Sequence, residues 1–244
     1  PELGFTSYII VYSIISGLLL MIYPYILGIS YYFGFGILFL FSVIAYFLAM
    51  RAFPASSEPA YKPDRQVLTG GKVGWVLIAF LFFQCSNSTI FSFSERLGHE
   101  NGLSPAFLGF SIGLSIFVGL ISGFLVLLLA RFLSYAHQIF LGLSLMFCSL
   151  AILHLWPGVP LFYLAGITLL GFGFTIVLPN LFSVLASKDP SGSKVALGTI
   201  TNWLGQAAGP ALSAWYIAGG NFSEIVIPGG IFLIFSMLSM FINA

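Results

Sequence analysis

The side chains with the most chemical reach in this chain sit inside an apolar stretch, residues 73–95. Gln84, Asn87, Ser88, Phe91 and Glu95 share one helical face through their three- and four-residue spacing. Cys85, Ser86, Thr89, Ser92 and Ser94 crowd the same segment. Amides and hydroxyls can both donate and accept hydrogen bonds, and they do so without carrying charge. At membrane depth such groups face either a wet cavity between helices or a neighbouring helix that they hold by hydrogen bonds. Both readings stay open on these residues alone. Glu95 ends the face and begins a charged group with Arg96, His99 and Glu100. As a functional carboxylate it would bind a cation or a proton at the mouth of a cavity. As a solvated helix end it would pair with Arg96 or His99.

A second polar pair, Asn202 and Gln206, lies one turn apart in 194–218. Gly205 and Gly209 repeat at the four-residue interval that lets helices approach closely, and Pro210 should loosen the backbone beside them. Residues 160–186 hold Thr168, Gly171, Gly173, Thr175, Pro179 and Asn180. A glycine-rich, proline-broken helix exposes carbonyls that a solute or water would use. A bend on the cytoplasmic side is the plainer expectation there.

The sequence offers no catalytic constellation. It contains no HExxH and no GxSxG, and its only aspartates, Asp64 and Asp189, fall in polar connections. The three histidines are scattered, and Cys85 and Cys148 each lie in an apolar run, so neither a metal site nor a cofactor is expected. Gly34-Phe35-Gly36 and Gly171-Phe172-Gly173 lack the strand-to-helix setting of a nucleotide loop. A formal net charge of +1 suggests no nucleic-acid partner.

These residues must be positioned by membrane-spanning helices. Charged residues make up 6% of the 244-residue chain, and apolar residues 59%. A soluble domain carries roughly a quarter charged residues. Apolar runs of bilayer length recur at about 5–27, 31–50, 73–95, 105–130, 136–155, 160–186, 194–218 and 223–243. The expected fold is an all-α integral membrane protein of about eight helices, because an open strand edge finds no partner in lipid. Ser104-Pro105 and Asn221-Phe222-Ser223-Glu224 mark helix starts, and Trp156-Pro157-Gly158-Val159-Pro160 marks a tight turn. Tyr23, Tyr25, Tyr31 and Tyr32 suggest an interfacial aromatic belt, and Tyr8, Tyr12, Ser13, Ser16 and Gly17 a milder polar stripe on the first span.

Arg51, Lys62, Arg65, Lys72, Arg131, Lys188 and Lys194 fall on one face of the membrane, and only Arg96 on the other. The basic face is therefore expected to be cytoplasmic, with both ends of the chain on that side. Residues 51–72 form the one long polar connection and divide two spans from six.

This pattern resembles the major facilitator superfamily of secondary transporters. Three stretches carry the likeness across essentially the whole chain. Glu95-Arg96-Leu97-Gly98 with Gly102-Leu103-Ser104 and Gly109 is similar to the family's outer turn between its seventh and eighth helices. Gly119 and Gly123 with Ala130-Arg131-Phe132 are similar to its cytoplasmic loop signature. Gly205-Gln206-Ala207-Ala208-Gly209-Pro210 is similar to a segment of the eleventh helix. Ala130, Leu133, Tyr135 and Ala136 depart from the acidic, glycine and basic residues common at the loop, where Arg131 would mark the cytoplasmic gate.

The resemblance implies that 1–50 holds the last two helices of an N-terminal bundle, 51–72 the central loop and 73–244 a complete C-terminal six-helix bundle. The chain would then be a fragment, with four further spans before Pro1. It also implies a central cavity lined by Gln84, Asn87, Ser88, Thr175 and Asn180 and flanked by Asn202 and Gln206. Ser16-Gly17-Leu18-Leu19-Leu20-Met21-Ile22-Tyr23-Pro24 departs from the GxxxGP segment of proton-coupled drug antiporters. The function expected is alternating-access transport of a small organic solute through the plasma (inner) membrane, with a coupling proton or cation as further partner. The competing expectation is a membrane scaffold or assembly subunit whose buried amides only pack helices.

Overall fold

A computed structural model describes residues 30–52, 71–129, 131–187 and 192–243, with 18, 19, 21, 22 and 26. Most of the span expected at 5–27, its polar stripe, most of the 51–72 connection with Lys62 and Arg65, and Ala130, Lys188 and Asp189 lie outside the described residues. Among the described residues the fold is all-helical. The helices are α1 (Tyr31–Ala52), α2 (Gly71–Glu100), α3 (Pro105–Leu129), α4 (Tyr135–Leu155), α5 (Pro160–Ser187), α6 (Ser193–Tyr216) and α7 (Val226–Asn243), with a 3-10 turn at Phe222–Ile225.

Local chemistry sets several of these boundaries. Pro105 opens α3, with the Phe107 amide 3.4 Å from the Ser104 hydroxyl. Ser134 caps α4 by accepting from His137 N. Asn221 caps the 3-10 turn through Ser223 N, and its Nδ2 donates to Glu224 at 2.8 Å. The largest boundary difference from the sequence expectation is in α2, which continues through Glu100 instead of ending at Glu95. Its backbone ladder is unbroken there, because nothing in Arg96–Glu100 is a glycine or proline except Gly98, which packs against Leu108.

Five segments are long and apolar enough to cross a membrane: Val73–Glu100, Pro105–Val126, Tyr135–Leu155, Pro160–Ser187 and Phe222–Ile242. A shorter apolar stretch, Tyr32–Ile44, lies in α1. Helix α6 has 24 residues, ample length, but Asn202 and Gln206 lower its apolarity below that of the five. The bundle's outside carries bare apolar side chains, among them Phe124, Leu161, Trp203 and Trp215. Water would penalise such a surface, whereas hydrocarbon does not.

Helix α5 packs along α4 and α3, while α2 packs along α6 and α7. The α4–α7 and α2–α5 contacts join the two groups. Among the described residues helix α1 makes no extended interface with these later helices. Phe80, Phe83, Ile90, Leu143, Met146, Leu170, Val177 and Leu233 belong to the shared core. Glycines permit the closest crossings. Gly142 on α4 and Gly173 on α5 face each other so tightly that a Cβ on Gly173 would lie 2.8 Å from Gly142 O. Helix α5 runs through Pro179 and α6 through Pro210 without interruption.

Candidate functional site

The candidate site is built on the seam between α2 and α6. These helices run parallel, as successive contacts show. Gly198 lies against Phe80, Gly205 against Leu81 and Gln84, Gly209 against Cys85 and Ser88, and Ser213 Oγ is 2.9 Å from Thr89 Oγ1. A Cβ on Gly205 would sit 2.7 Å from Leu81 O and 2.8 Å from Gln84 Cβ. The small-residue spacing read from the sequence therefore packs α6 directly onto the polar segment of α2. The Ser88 hydroxyl reaches Gly205 O at 3.2 Å and Cys85 O at 3.3 Å.

Polar groups along this seam divide into two kinds. Ser88, Thr89 and Ser213 are buried and bonded across the interface. Gln84 is 2% exposed, yet its Oε1 has no hydrogen-bond partner, and neither does the buried Oδ1 of Asn202. Asn202 lies one turn before Gly205 on the small face, so both orphan oxygens belong to the same seam. Ser86 Oγ and Thr168 Oγ1 are also buried and unpartnered. An unsatisfied polar atom in an apolar setting costs on the order of several kcal/mol; the two hydroxyls can be satisfied by donating or accepting, whereas the two amide oxygens can only accept.

The α2 face opens progressively from Gln84. Asn87 is half-buried, Phe91 is 41% exposed, and Glu95 is exposed. Gln206, one turn beyond Asn202, is also exposed. Exposure thus rises through Asn87 and Phe91 to Glu95, while Ser88, Ser94 and Leu97 on the same helix stay buried.

Two other predicted lining residues are held inside helix interfaces. Thr175 Oγ1 donates to Gly171 O at 2.9 Å, and a Cβ on Gly119 would sit 2.8 Å from that hydroxyl oxygen, which places Thr175 in the α3–α5 crossing. Asn180 is buried and its Nδ2 donates to Gln138 Oε1 at 3.2 Å and to Ile176 O at 2.7 Å. Gln138 in turn donates to Leu133 O at 3.1 Å. These bonds tie α5 to α4 and to the turn before it. Pro179 is exposed on α5, Pro210 is half-buried on α6, and Arg131 is exposed in the turn between α3 and α4. Gln138 and Tyr163 carry interhelical bonds that the sequence did not reveal. Tyr163 is fully buried and donates from its hydroxyl to Ser94 O at 2.9 Å. Only their fall on the α4 and α5 faces shared with other buried residues would have marked them.

At the far end of α2, Glu95, Arg96, His99, Glu100 and Phe222 line an open cleft of about 370 Å³. No ion pair joins the charges here among the described residues. Neither of the pairings open to Glu95 as a solvated helix end, with Arg96 or with His99, is formed among the described residues; consecutive helical side chains such as Glu95 and Arg96 do not face each other. Arg96 lies instead over the Phe222 ring, 5.2 Å from its centre. Glu100 accepts from Phe222 N at 3.2 Å, and Asn101 Nδ2 donates to Ser223 Oγ at 3.2 Å. These contacts lock the end of α2 to the start of α7. Among the described residues no group of three or more His, Cys, Asp and Glu is placed to hold a metal.

Comparison with protein-family models and with curated protein sequences finds no match to this chain.

Proposed function

We propose that this chain is a secondary transporter of the major facilitator type, carrying a small organic solute across the plasma (inner) membrane by alternating access. In this reading eight helices cross the bilayer, two before and six after the 51–72 connection, and the basic loops face the cytoplasm. The solute uses the α2–α6 face, and Glu95 stands at the external mouth as the candidate site for a coupling proton or cation.

The observation that carries the reading is the pair of buried, unpartnered oxygens, Gln84 Oε1 and Asn202 Oδ1, at the head of a face that opens toward Glu95. Helix packing alone gives no reason to keep an orphan amide at that depth, whereas a hydrated pathway supplies its partner. The second reading, a membrane scaffold, draws on Ser88, Thr89 and Asn180, each of which makes a bond to a neighbouring helix.

Thiol labelling separates the two. Cysteine is placed at Asn87 or Gln206 in the intact protein with Cys85 and Cys148 replaced by alanine. A membrane-impermeant reagent should modify both positions in cells, and solute flux should change the rate. Protection of both sites under every condition would leave the scaffold reading standing.

A further inference from the structure

We propose that the α2 face running from Gln84 through Asn87 and Phe91 to Glu95 selects organic cations that carry N–H donors. The inference rests on the transporter reading and specifies its substrate class. At 1.5 Å per residue, Phe91 lies about 10 Å and Glu95 about 16 Å along the helix from Gln84. The face thus presents a carboxylate, then an aromatic ring one turn deeper, then amides.

Each level favours the same kind of guest. Among the described residues Glu95 forms no ion pair, and Arg96 is turned onto Phe222. Phe91 offers an exposed ring, and an aromatic face attracts a partly desolvated cation. Deeper in, Gln84 Oε1 and Asn202 Oδ1 need donors and have none. An ammonium group satisfies such oxygens through its N–H bonds, while a quaternary nitrogen cannot. No Lys or Arg lies between Lys72 and Arg96 on α2 or after Lys194 on α6. An anion would therefore meet two carboxylates beside Arg96 and His99 at the mouth and no Lys or Arg deeper on either helix. A neutral polyol would use the amides but gain nothing from Glu95.

Four probes with a common phenylethyl skeleton test this: 2-phenylethylammonium, trimethyl(2-phenylethyl)ammonium, 2-phenylethanol and 3-phenylpropionate. Affinity is read from the concentration dependence of thermal unfolding of the intact protein in detergent. The primary ammonium should bind roughly tenfold more tightly than the alcohol, the quaternary ion should fall between them, and the carboxylate should not stabilise. Glu95→Gln, at an exposed position, should erase the advantage of the cation over the alcohol. Gln84→Met, close to the native volume, or Asn202→Leu should erase the advantage of the primary over the quaternary ion. Stabilisation by 3-phenylpropionate equal to that by the ammonium, no shift with any probe, or an unchanged preference in Glu95→Gln would overturn the proposal. If the preference fails while cysteine at Asn87 still labels, the cation assignment falls alone. If that thiol is protected as well, the transport reading falls with it.

Discussion

Replacing Gly209 by alanine puts a methyl group where α6 lies closest to α2. The added carbon would overlap the Cys85 carbonyl oxygen and stand 2.5 Å from Ser88 Oγ, against an ordinary contact of 3.4 Å or more. Neither neighbour yields easily, since one is backbone and the other is bonded to Gly205 O. Helix α6 must lift by roughly 1 Å, and overpacking of this kind costs about 1–3 kcal/mol. Weakening the Ser88 bond adds about 0.6 kcal/mol, the mean for an interhelical hydrogen bond in a bilayer. Alanine's higher helix propensity offsets about 1 kcal/mol. The balance is a destabilisation of about 1–2 kcal/mol, or roughly tenfold in the opening of the seam.

Cys85 is a built-in reporter for this opening. It is buried beneath α6, while Cys148 is exposed on α4 and can be replaced by alanine. In that background a thiol reagent in micelles should modify Cys85 about tenfold faster in Gly209→Ala than in the parent. Gly123→Ala is the control, because nothing among the described residues lies within 4 Å of its added Cβ. It should not accelerate labelling and should add about 0.5–1 kcal/mol of stability. Equal labelling rates in Gly209→Ala and the parent would refute the close α2–α6 contact. Equal acceleration by Gly123→Ala would show that a methyl group disturbs the bundle wherever it is placed.

Three further substitutions probe the polar contacts. Tyr163→Phe removes the bond to Ser94 O and should lower stability by about 1 kcal/mol, seen as a lower unfolding temperature in detergent. A double-mutant cycle on Gln138→Leu and Asn180→Leu should give a coupling of about 0.5–1.5 kcal/mol; additivity would mean that the amides do not bond across α4 and α5. Asn101→Ala breaks the bonds to Leu97 O and Ser223 Oγ and should speed hydrogen exchange at Phe222–Ile225 more than in the α4–α5 interface. Equal effects in the two regions would argue against a local latch.

Much of the helical layout was legible in the sequence, and for a local reason. Bilayer thickness sets the length of an apolar run, while proline, serine and asparagine at run ends set the caps. The starts at Pro105, Pro160 and Ser193 and the turn after Leu155 all appear within a residue or two of where those signals put them. The close approach of Gly205 and Gly209 was readable too, because four-residue spacing places both on one face whatever that face meets.

Which polar group bonds to which was not readable. Asn180 and Gln84 are both amides in glycine-flanked or apolar helices, and local sequence does not tell them apart. One bonds to Gln138 on the neighbouring helix and the other keeps an orphan oxygen. Ser88 meets Gly205 across 117 residues, and Ser236 meets Ala79 O across 157. Such pairings follow from the rotation and crossing of whole helices, quantities that depend on every side chain in the interface and that no short stretch of sequence encodes. The chain by itself determined that these residues are helical, apolar-flanked and grouped on faces; only tertiary packing decided which faces are sealed by a partner and which are left wanting one.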